Sequence, residues 1–253
     1  AACGSSSSSA PASGAASGST ASTTGSNVLN VMVEVEVASL DPQLATDGTS
    51  FEVIANYTDG LMQMDADGQS VPAIAETYEV SEDGLTYTFH LREDAVWSNG
   101  DPVTADDFGF GWQRAVDPAN ASEYAYMIYD VGQIKNGAAI AAGEMDVTEL
   151  GVTAVDEHTL QVELEVPVSY FLSLMYFPTF YPVNRAFYES LDEGTFGTSP
   201  ETVLSNGAFI LDSYEPAALS FSLVKNPDYY DADNIQLDGL NYQVIKDSQQ
   251  ALM

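Results

Sequence analysis

The chain has 253 residues, with 6 Lys and Arg against 38 Asp and Glu, a formal net charge of -32 and 45% hydrophobic residues, so it is strongly acidic yet apolar enough to build a core. A field of that sign opposes phosphate backbones and anionic headgroups, and the scattered bases Arg92, Arg114, Lys135, Arg185, Lys225 and Lys246 form no basic run, which argues against nucleic-acid binding. Cys3 is the only cysteine, which excludes an internal disulfide, a CxxC pair and a thiolate metal cluster.

The first 27 residues carry no charged side chain, so the whole charge belongs to the remaining 226. Residues 4–27 are small and polar, with too little apolar surface to offset the entropy of ordering them, and are expected to be a flexible tether. Ahead of it, Ala1-Ala2-Cys3-Gly4 resembles the cleavage and modification end of a bacterial lipoprotein signal, which implies lipidation at Cys3 and a membrane contact through that lipid. From Val28 onward acids or turn residues interrupt each apolar stretch before it reaches the length of a spanning helix.

Val28 to Val37 alternates in the period-two manner of a half-buried strand, ended by Ser39-Leu40-Asp41-Pro42. Thr49 to Leu61 is periodic enough for a helix with Phe51, Ile54, Ala55 and Thr58 near one face and Gly60 at its end. Leu61 to Met64 predicts a strand and turn, and Pro72 to Ala75 a short helical turn. Tyr78 to Val80 and Thr86 to Leu91 flank Ser81-Glu82-Asp83-Gly84 as a hairpin with Tyr87, Phe89 and Leu91 on one face. Thr104 is placed to cap a helix through Val116, with Asp107 near its donor end and Asp117-Pro118 as its stop.

Tyr124 to Ala142 predicts a second long helix, with Met127, Val131 and Ile134 on one face and Gly143 beyond it. Leu150 to Ala154 and Thr159 to Leu164 form another hairpin candidate around Asp156-Glu157-His158. Short helices are expected at Tyr170 to Leu174 and Phe187 to Leu191, separated by the aromatic and proline-rich run Tyr176 to Pro182. Ala208 to Tyr214 pairs with Leu219 to Lys225, Leu237 to Ile245 supplies a last strand, and Asp247-Ser248-Gln249 begins a further helix.

Catalytic signatures are absent from this pattern. His90 and His158 sit in predicted hairpins outside any HExxH, and no GxSxG elbow, Walker loop or dinucleotide fingerprint occurs. Acid pairs such as Asp106-Asp107 follow from the density of acids and fit solvated faces or caps, and no stretch spaces ligands as an EF-hand does. The sequence therefore predicts neither an enzyme nor a metal or cofactor site.

The most specific segment runs from Tyr87 to Phe108 and contains Ala95-Val96-Trp97-Ser98-Asn99-Gly100-Asp101-Pro102-Val103-Thr104-Ala105-Asp106-Asp107-Phe108. It resembles the signature of the bacterial family 5 extracellular solute-binding proteins, whose members include oligopeptide-, dipeptide- and nickel-binding components of ABC importers. Trp112 to Pro118 and Ala121-Ser122-Glu123-Tyr124-Ala125 are similar to its oligopeptide-binding branch, and further matches lie at Pro167 to Phe171, Ser205 to Phe209 and Asn226 to Tyr230. Residue chemistry gives the signature a structural role: Trp97 and Trp112 as core aromatics, Asn99-Gly100 as a turn, and Arg114 near a helix C-terminus or an acid in place of a ligand.

The resemblance implies an α/β fold of the periplasmic-binding-protein-like type II, with mixed sheets, helices and a two-lobed cleft. It divides the chain into an anchor and tether at 1–27, the first part of a large lobe at 28–63, a small family-specific lobe at 64–182 and a return to the large lobe at 183–253. Because family members run to about twice this length, it also implies that the chain is an N-terminal portion, half of a clamp. The implied function is extracytoplasmic capture of oligopeptides, by a monomer anchored to the bacterial cell membrane, for delivery to the transmembrane subunits of an ABC permease. Nickel, haem or another solute, or a surface peptide-sensing or adhesion role, are the alternatives. By the same resemblance, Asp47, Gly48 and Thr49 form a peptide-facing edge and Tyr124 hydrogen-bonds the peptide.

Overall fold

The computed structural model describes residues 27–217 and 219–246. Cys3, residues 4–26 of the expected tether and the helix start expected at Asp247-Ser248-Gln249 lie outside the described residues. Asn27, the last residue of the tether as read from sequence, is docked: its amide donates to Asp238 Oδ2 at 2.7 Å and its carbonyl accepts from the Asp238 amide at 2.8 Å.

The chain begins with β1 (Val28–Val33), α1 (Gly48–Tyr57), β2 (Met62–Met64), β3 (Ser70–Pro72), β4 (Ala75–Val80), β5 (Thr86–Leu91) and α2 (Ala105–Val116). It continues with α3 (Gly137–Ala141), β6 (Val152–Asp156), β7 (Thr159–Glu163), α4 (Phe171–Leu174), α5 (Arg185–Ser190), β8 (Phe209–Ser213), β9 (Ser220–Lys225) and β10 (Gly239–Val244). Three sheets result: a four-stranded sheet in the order β1-β10-β9-β8, the ribbon β2-β3, and a four-stranded sheet in the order β4-β5-β7-β6. Among the described strands only β1 and β10 pair in parallel, joining the start of the described chain to its end with Val31 opposite Tyr242.

Burial divides into two cores. In the first, the inward residues Tyr87, Phe89 and Leu91 of β5 and Leu160 and Val162 of β7 meet Phe108 and Trp112 of α2, with Phe171 and Phe180 closing the far side. The period-two hairpins predict this face because alternate side chains of a strand point to one side. In the second, Val53, Ile54 and Tyr57 of α1 pack on Phe209, Leu211, Phe221, Leu223, Leu240 and Tyr242 of the first sheet. Apolar burial on this scale is the main favourable term of folding.

Several expected elements change. The strand from Val28 stops at Val33 rather than Val37, since beyond Val33 the chain leaves β10. The buried face of α1 is Ser50, Val53, Ile54 and Tyr57, while Ala55 is exposed and Phe51 only half-buried. The helix ends at Tyr57 with Thr58 as cap, so Gly60 is not its terminator. The helical turn expected at Pro72 to Ala75 is extended chain, because Ser70–Pro72 folds back onto Met62–Met64 across a turn at Gly68 (φ 77). The long helix from Tyr124 to Ala142 is broken into a wide π-type turn, Met127–Val131, and α3. Gln133 (φ 54) and Asn136 (φ 67) take the left-handed conformation, and Ile134 bridges to Leu164. A residue pulled into a β-bridge cannot also continue a helical ladder.

The expected caps and aromatic roles hold. Thr104 and Asp107 form a reciprocal capping box on α2, and Asp107 also accepts from Trp97 Nε1 at 2.9 Å. Burial pushes the Asp107 carboxyl upward against these hydrogen bonds. Trp97 and Trp112 are buried in the first core, and Trp112 Nε1 donates to the Phe180 carbonyl at 2.7 Å.

The chain passes between the cores at residues 58–61 and 180–183, and the two passages lie against each other at Gly60. A Cβ there would fall 2.2 Å from the Met175 carbonyl oxygen and 3.0 Å from the Tyr181 ring. Gly60→Ala is therefore expected to destabilise the fold by about 1–3 kcal/mol through overpacking, read as a lower denaturant midpoint; a midpoint equal to that of the unmodified chain would show that the passages are not in close contact.

Candidate ligand-binding site

The site expected from sequence lies where the second core meets the first. Asp47 caps α1, accepting from the Ser50 amide at 2.9 Å and from Ser50 Oγ at 2.6 Å, and Ser50 Oγ in turn accepts from the amides of Ala38 and Ser39. This closes residues 38–50 into one rigid segment. Gly48 is exposed and Thr49 half-buried at the first helical positions, where backbone N–H groups have no acceptor within the helix.

Tyr124 comes from a different segment, beyond the end of α2, and meets α1 through Phe51. Their rings stand edge to face at 5.4 Å between centroids. Phe177 lies 5.0 Å from Phe51 and 5.7 Å from Tyr124, and Tyr126 lies 5.7 Å from Tyr124. Such geometries add to area burial and fix ring orientation. Tyr124 is half-buried, and among the described residues its hydroxyl makes no hydrogen bond. The structure thus brings Tyr124 beside the first turn of α1.

Sequence reasoning missed Phe51, Tyr126 and Phe177 as part of this wall. Phe51 was instead expected on the packed face of α1, and Phe177 lies in the aromatic run noted between two helices. The polar support behind the wall carried none. Gln43 is fully buried and engaged at every polar group: its amide nitrogen donates to Asp41 Oδ1 at 2.9 Å, its side chain donates to the Tyr181 carbonyl at 3.0 Å and accepts from Arg114 Nη1 at 2.6 Å, and its carbonyl accepts from Ser122 Oγ at 2.5 Å.

Arg114 meets an acid, as expected from its place in α2, and not an open cleft. It pairs end-on with Asp41, at 2.6 Å from Nη2 and 3.2 Å from Nη1, with both side chains at most 6% exposed. The rings of Tyr188 and Phe196 lie over the guanidinium at 4.4 and 5.0 Å. A concavity of about 550 Å³ beside it is lined by Asn120, Tyr188, Asp192 and Phe196 among others, and includes none of Asp47, Gly48, Thr49 or Tyr124. Among the described residues no group of three or more His, Cys, Asp or Glu could hold a metal ion, and no helix is long and apolar enough to cross a membrane.

A second polar cluster sits at the passage between the cores. Asp59 accepts from the hydroxyls of Tyr229 and Tyr230, each at 2.8 Å, and its amide donates to Asn206 Oδ1 at 2.8 Å. Arg92 stacks on Tyr230 at 3.7 Å. Burial pushes the Asp59 carboxyl up to about 6, with Asp231 adding to the rise, while the two tyrosine hydroxyls and Arg92 oppose it.

Residues 69–253 match the family described as "Bacterial extracellular solute-binding proteins, family 5 Middle". The chain is 41% identical over 210 residues to the probable deoxycholate-binding periplasmic protein YgiS of Escherichia coli (strain K12), covering 83% of this chain and 38% of that protein. It is 38% identical over 224 residues to the oligopeptide-binding protein OppA of Bacillus subtilis (strain 168), covering 88% and 40%. Among solved structures, Listeria monocytogenes OppA bound to peptide superposes with a TM-score of 0.86 at 40% identity, covering 90% of this chain and 44% of that one. The chain spans about two fifths of the length of the curated relatives it matches.

The fold is the mixed α/β architecture of the periplasmic-binding-protein class of solute-binding proteins. Within that class, the chain belongs to the bacterial extracellular solute-binding proteins, family 5.

A carboxyl raised by folding binds its proton more tightly in the native state than in the unfolded one, so its contribution to stability falls as pH rises from the unfolded value near 3.8 to about 6. The stability of the unmodified chain relative to Asp59→Asn is expected to drop by about 1–2 kcal/mol across that window and to level off above it. Denaturant titrations of both chains between pH 4 and pH 7 check this; a difference that is flat or rises with pH would contradict the burial of Asp59.

Proposed function

We propose that the chain is part of an extracytoplasmic protein that binds oligopeptides and delivers them to the transmembrane subunits of an ABC permease, itself catalysing no reaction. The observation that carries this reading is the juxtaposition of unsatisfied amides in the first turn of α1 with the unpartnered hydroxyl of Tyr124, across the Phe51 ring. Donors and acceptors of this kind pair with a peptide backbone whatever its side chains. Asp47, Gly48, Thr49 and Tyr124 are accordingly the proposed peptide contacts. Listeria OppA, whose solved structure carries a peptide, and Bacillus OppA, described as oligopeptide-binding, support the ligand class.

The same reading includes a lipid on Cys3, a monomeric protein and a position outside the cytoplasmic membrane, periplasmic in a two-membrane envelope. It divides the chain into a tether at 1–27, large-lobe segments at 28–63 and 183–253, and a small lobe at 64–182. The separate cores support that division, since one draws on Leu61 to Phe180 and the other on Val37 to Tyr57 and Tyr181 to Tyr242, with Val244 beyond them also buried. A second reading, a bile-acid ligand, is favoured by the aromatic wall of Phe51, Tyr124, Tyr126 and Phe177 together with the likeness to YgiS.

Mixing the full-length protein, expressed without a lipidation signal, with a peptide library, deoxycholate, nickel and haem, followed by native mass spectrometry, tests the ligand class. Retention of peptides of varied sequence is expected. Retention of deoxycholate, nickel or haem without peptide would overturn the reading. Tyr124→Phe is expected to weaken peptide binding about fivefold, the worth of one hydrogen bond of about 1 kcal/mol; unchanged affinity in calorimetry would reduce Tyr124 to a packing residue.

A further inference from the structure

The loop that carries Tyr124 is attached to the α1 segment by the Tyr124–Phe51 ring contact and one hydrogen bond. Between the end of α2 and the π-type turn, its backbone hydrogen bonds are local: Asn120 to Asp117, Ala121 to Pro118, Ala125 to Ser122 and Met127 to Tyr124. Asn120 Nδ2 donates to the Arg114 carbonyl at 2.9 Å, which ties the loop back to α2. Among the described residues, one hydrogen bond joins this loop to residues 38–50: Ser122 Oγ donating to the Gln43 carbonyl.

Gln43 is an immobile partner for that bond. Arg114 holds its side-chain oxygen, the Tyr181 carbonyl holds its side-chain nitrogen, and Asp41 holds its amide, and Gln43 itself has no exposed area. On the far side, Ser122 starts the turn that presents Tyr124, directly after Ala121 in the left-handed conformation (φ 50). Alongside the Phe51–Tyr124 ring contact, this hydroxyl links the fixed position of Gln43 to Tyr124, two residues away, while Asp47 lies four residues beyond Gln43 in the same closed segment.

We propose that Ser122 is a positioning residue of the ligand site, its hydroxyl setting the separation between Tyr124 and the first turn of α1 through Gln43. This rests on the reading of Tyr124 and residues 47–49 as peptide contacts. Recognition by two elements demands that their spacing match the repeat of a peptide backbone, and a hydrogen bond present before binding removes the cost of ordering the loop when the ligand arrives. Loss of the hydroxyl leaves the cores untouched, because Ser122 is only half-buried and belongs to neither.

The test measures peptide association and dissociation rates on the full-length protein for the unmodified chain, Ser122→Ala, Ser122→Thr, Tyr124→Phe and the Ser122→Ala/Tyr124→Phe double variant, with thermal melts alongside. Ser122→Ala is expected to speed dissociation roughly fivefold to tenfold, with association within about twofold and the melting temperature unchanged within about 2 °C. Ser122→Thr, which keeps the hydroxyl, restores slow dissociation. Tyr124→Phe costs less in the Ser122→Ala background than alone, the signature of coupled groups. Unchanged dissociation in Ser122→Ala, with Tyr124→Phe still weakened, would overturn the positioning role and leave peptide binding standing. Faster dissociation that Ser122→Thr does not restore, or that comes with a large fall in melting temperature, would also overturn it. Failure of the unmodified protein to retain any peptide would instead defeat the underlying reading.

Discussion

The buried pair of Arg114 with Asp41, and Gln43 beside it, is the constraint on which the arrangement of this chain depends. Taking two charges out of water costs several kcal/mol per ion, and their attraction offsets it only when the remaining donors and acceptors are matched. Here Asp41 receives both terminal nitrogens of Arg114, Gln43 takes a further proton from Nη1, and Tyr188 and Phe196 cover the guanidinium face, with Nε the one buried donor of the guanidinium that has no partner among the described residues. Such a site tolerates one geometry. It fixes the turn after β1 against α2, and through Gln43 it fixes both against the passage at Tyr181.

That geometry is possible because α2 presents no side chain at its point of closest approach. A Cβ on Gly111 would lie 2.6 Å from the Tyr181 carbonyl oxygen and 3.3 Å from Gln43 Nε2. The glycine lets the helix backbone touch the connector, the connector then accepts from Gln43 and Trp112 supports the adjoining Phe180 carbonyl. The two cores are thus joined by directional contacts as well as by chain passages. The wall formed by α1 and Tyr124 is built on that junction.

Legibility in the sequence followed the range of the physics. The hairpins around Gly84 and His158 were readable because alternation and turn chemistry are local, and the capping box of α2 because Thr104 and Asp107 stand three residues apart. The helix expected from Tyr124 to Ala142 was not, since the pairing of Ile134 with Leu164 is a tertiary demand that outweighs helical periodicity. The face of α1 was misplaced for a similar reason: Tyr57 is drawn inward by its hydroxyl bond to the Leu40 carbonyl, which turns Phe51 toward Tyr124 and Phe177. Asp47, Gly48, Thr49 and Tyr124 were singled out only through resemblance and stand as proposed contacts, while Gln43 carried no signal, because a buried polar hub has no period. The charge reads differently with the structure: Arg92, Arg114, Lys135, Arg185 and Lys246 are each paired with an acid, and Lys225 Nζ donates to the Ile235 carbonyl. Only the Arg114 pair is buried; the other bases meet acids or a carbonyl at or near the surface, and the excess acids form a solvated surface.

A crystal structure of the full-length protein with a bound peptide is the decisive measurement for a wall of backbone amides and one tyrosine hydroxyl held by a buried ion pair. Peptide backbone is expected within hydrogen-bonding distance of residues 47–49 and of the Tyr124 hydroxyl, with Ser122 Oγ still on the Gln43 carbonyl and Arg114 still on Asp41. A peptide seated elsewhere, or one that meets neither Tyr124 nor the first turn of α1, would contradict it.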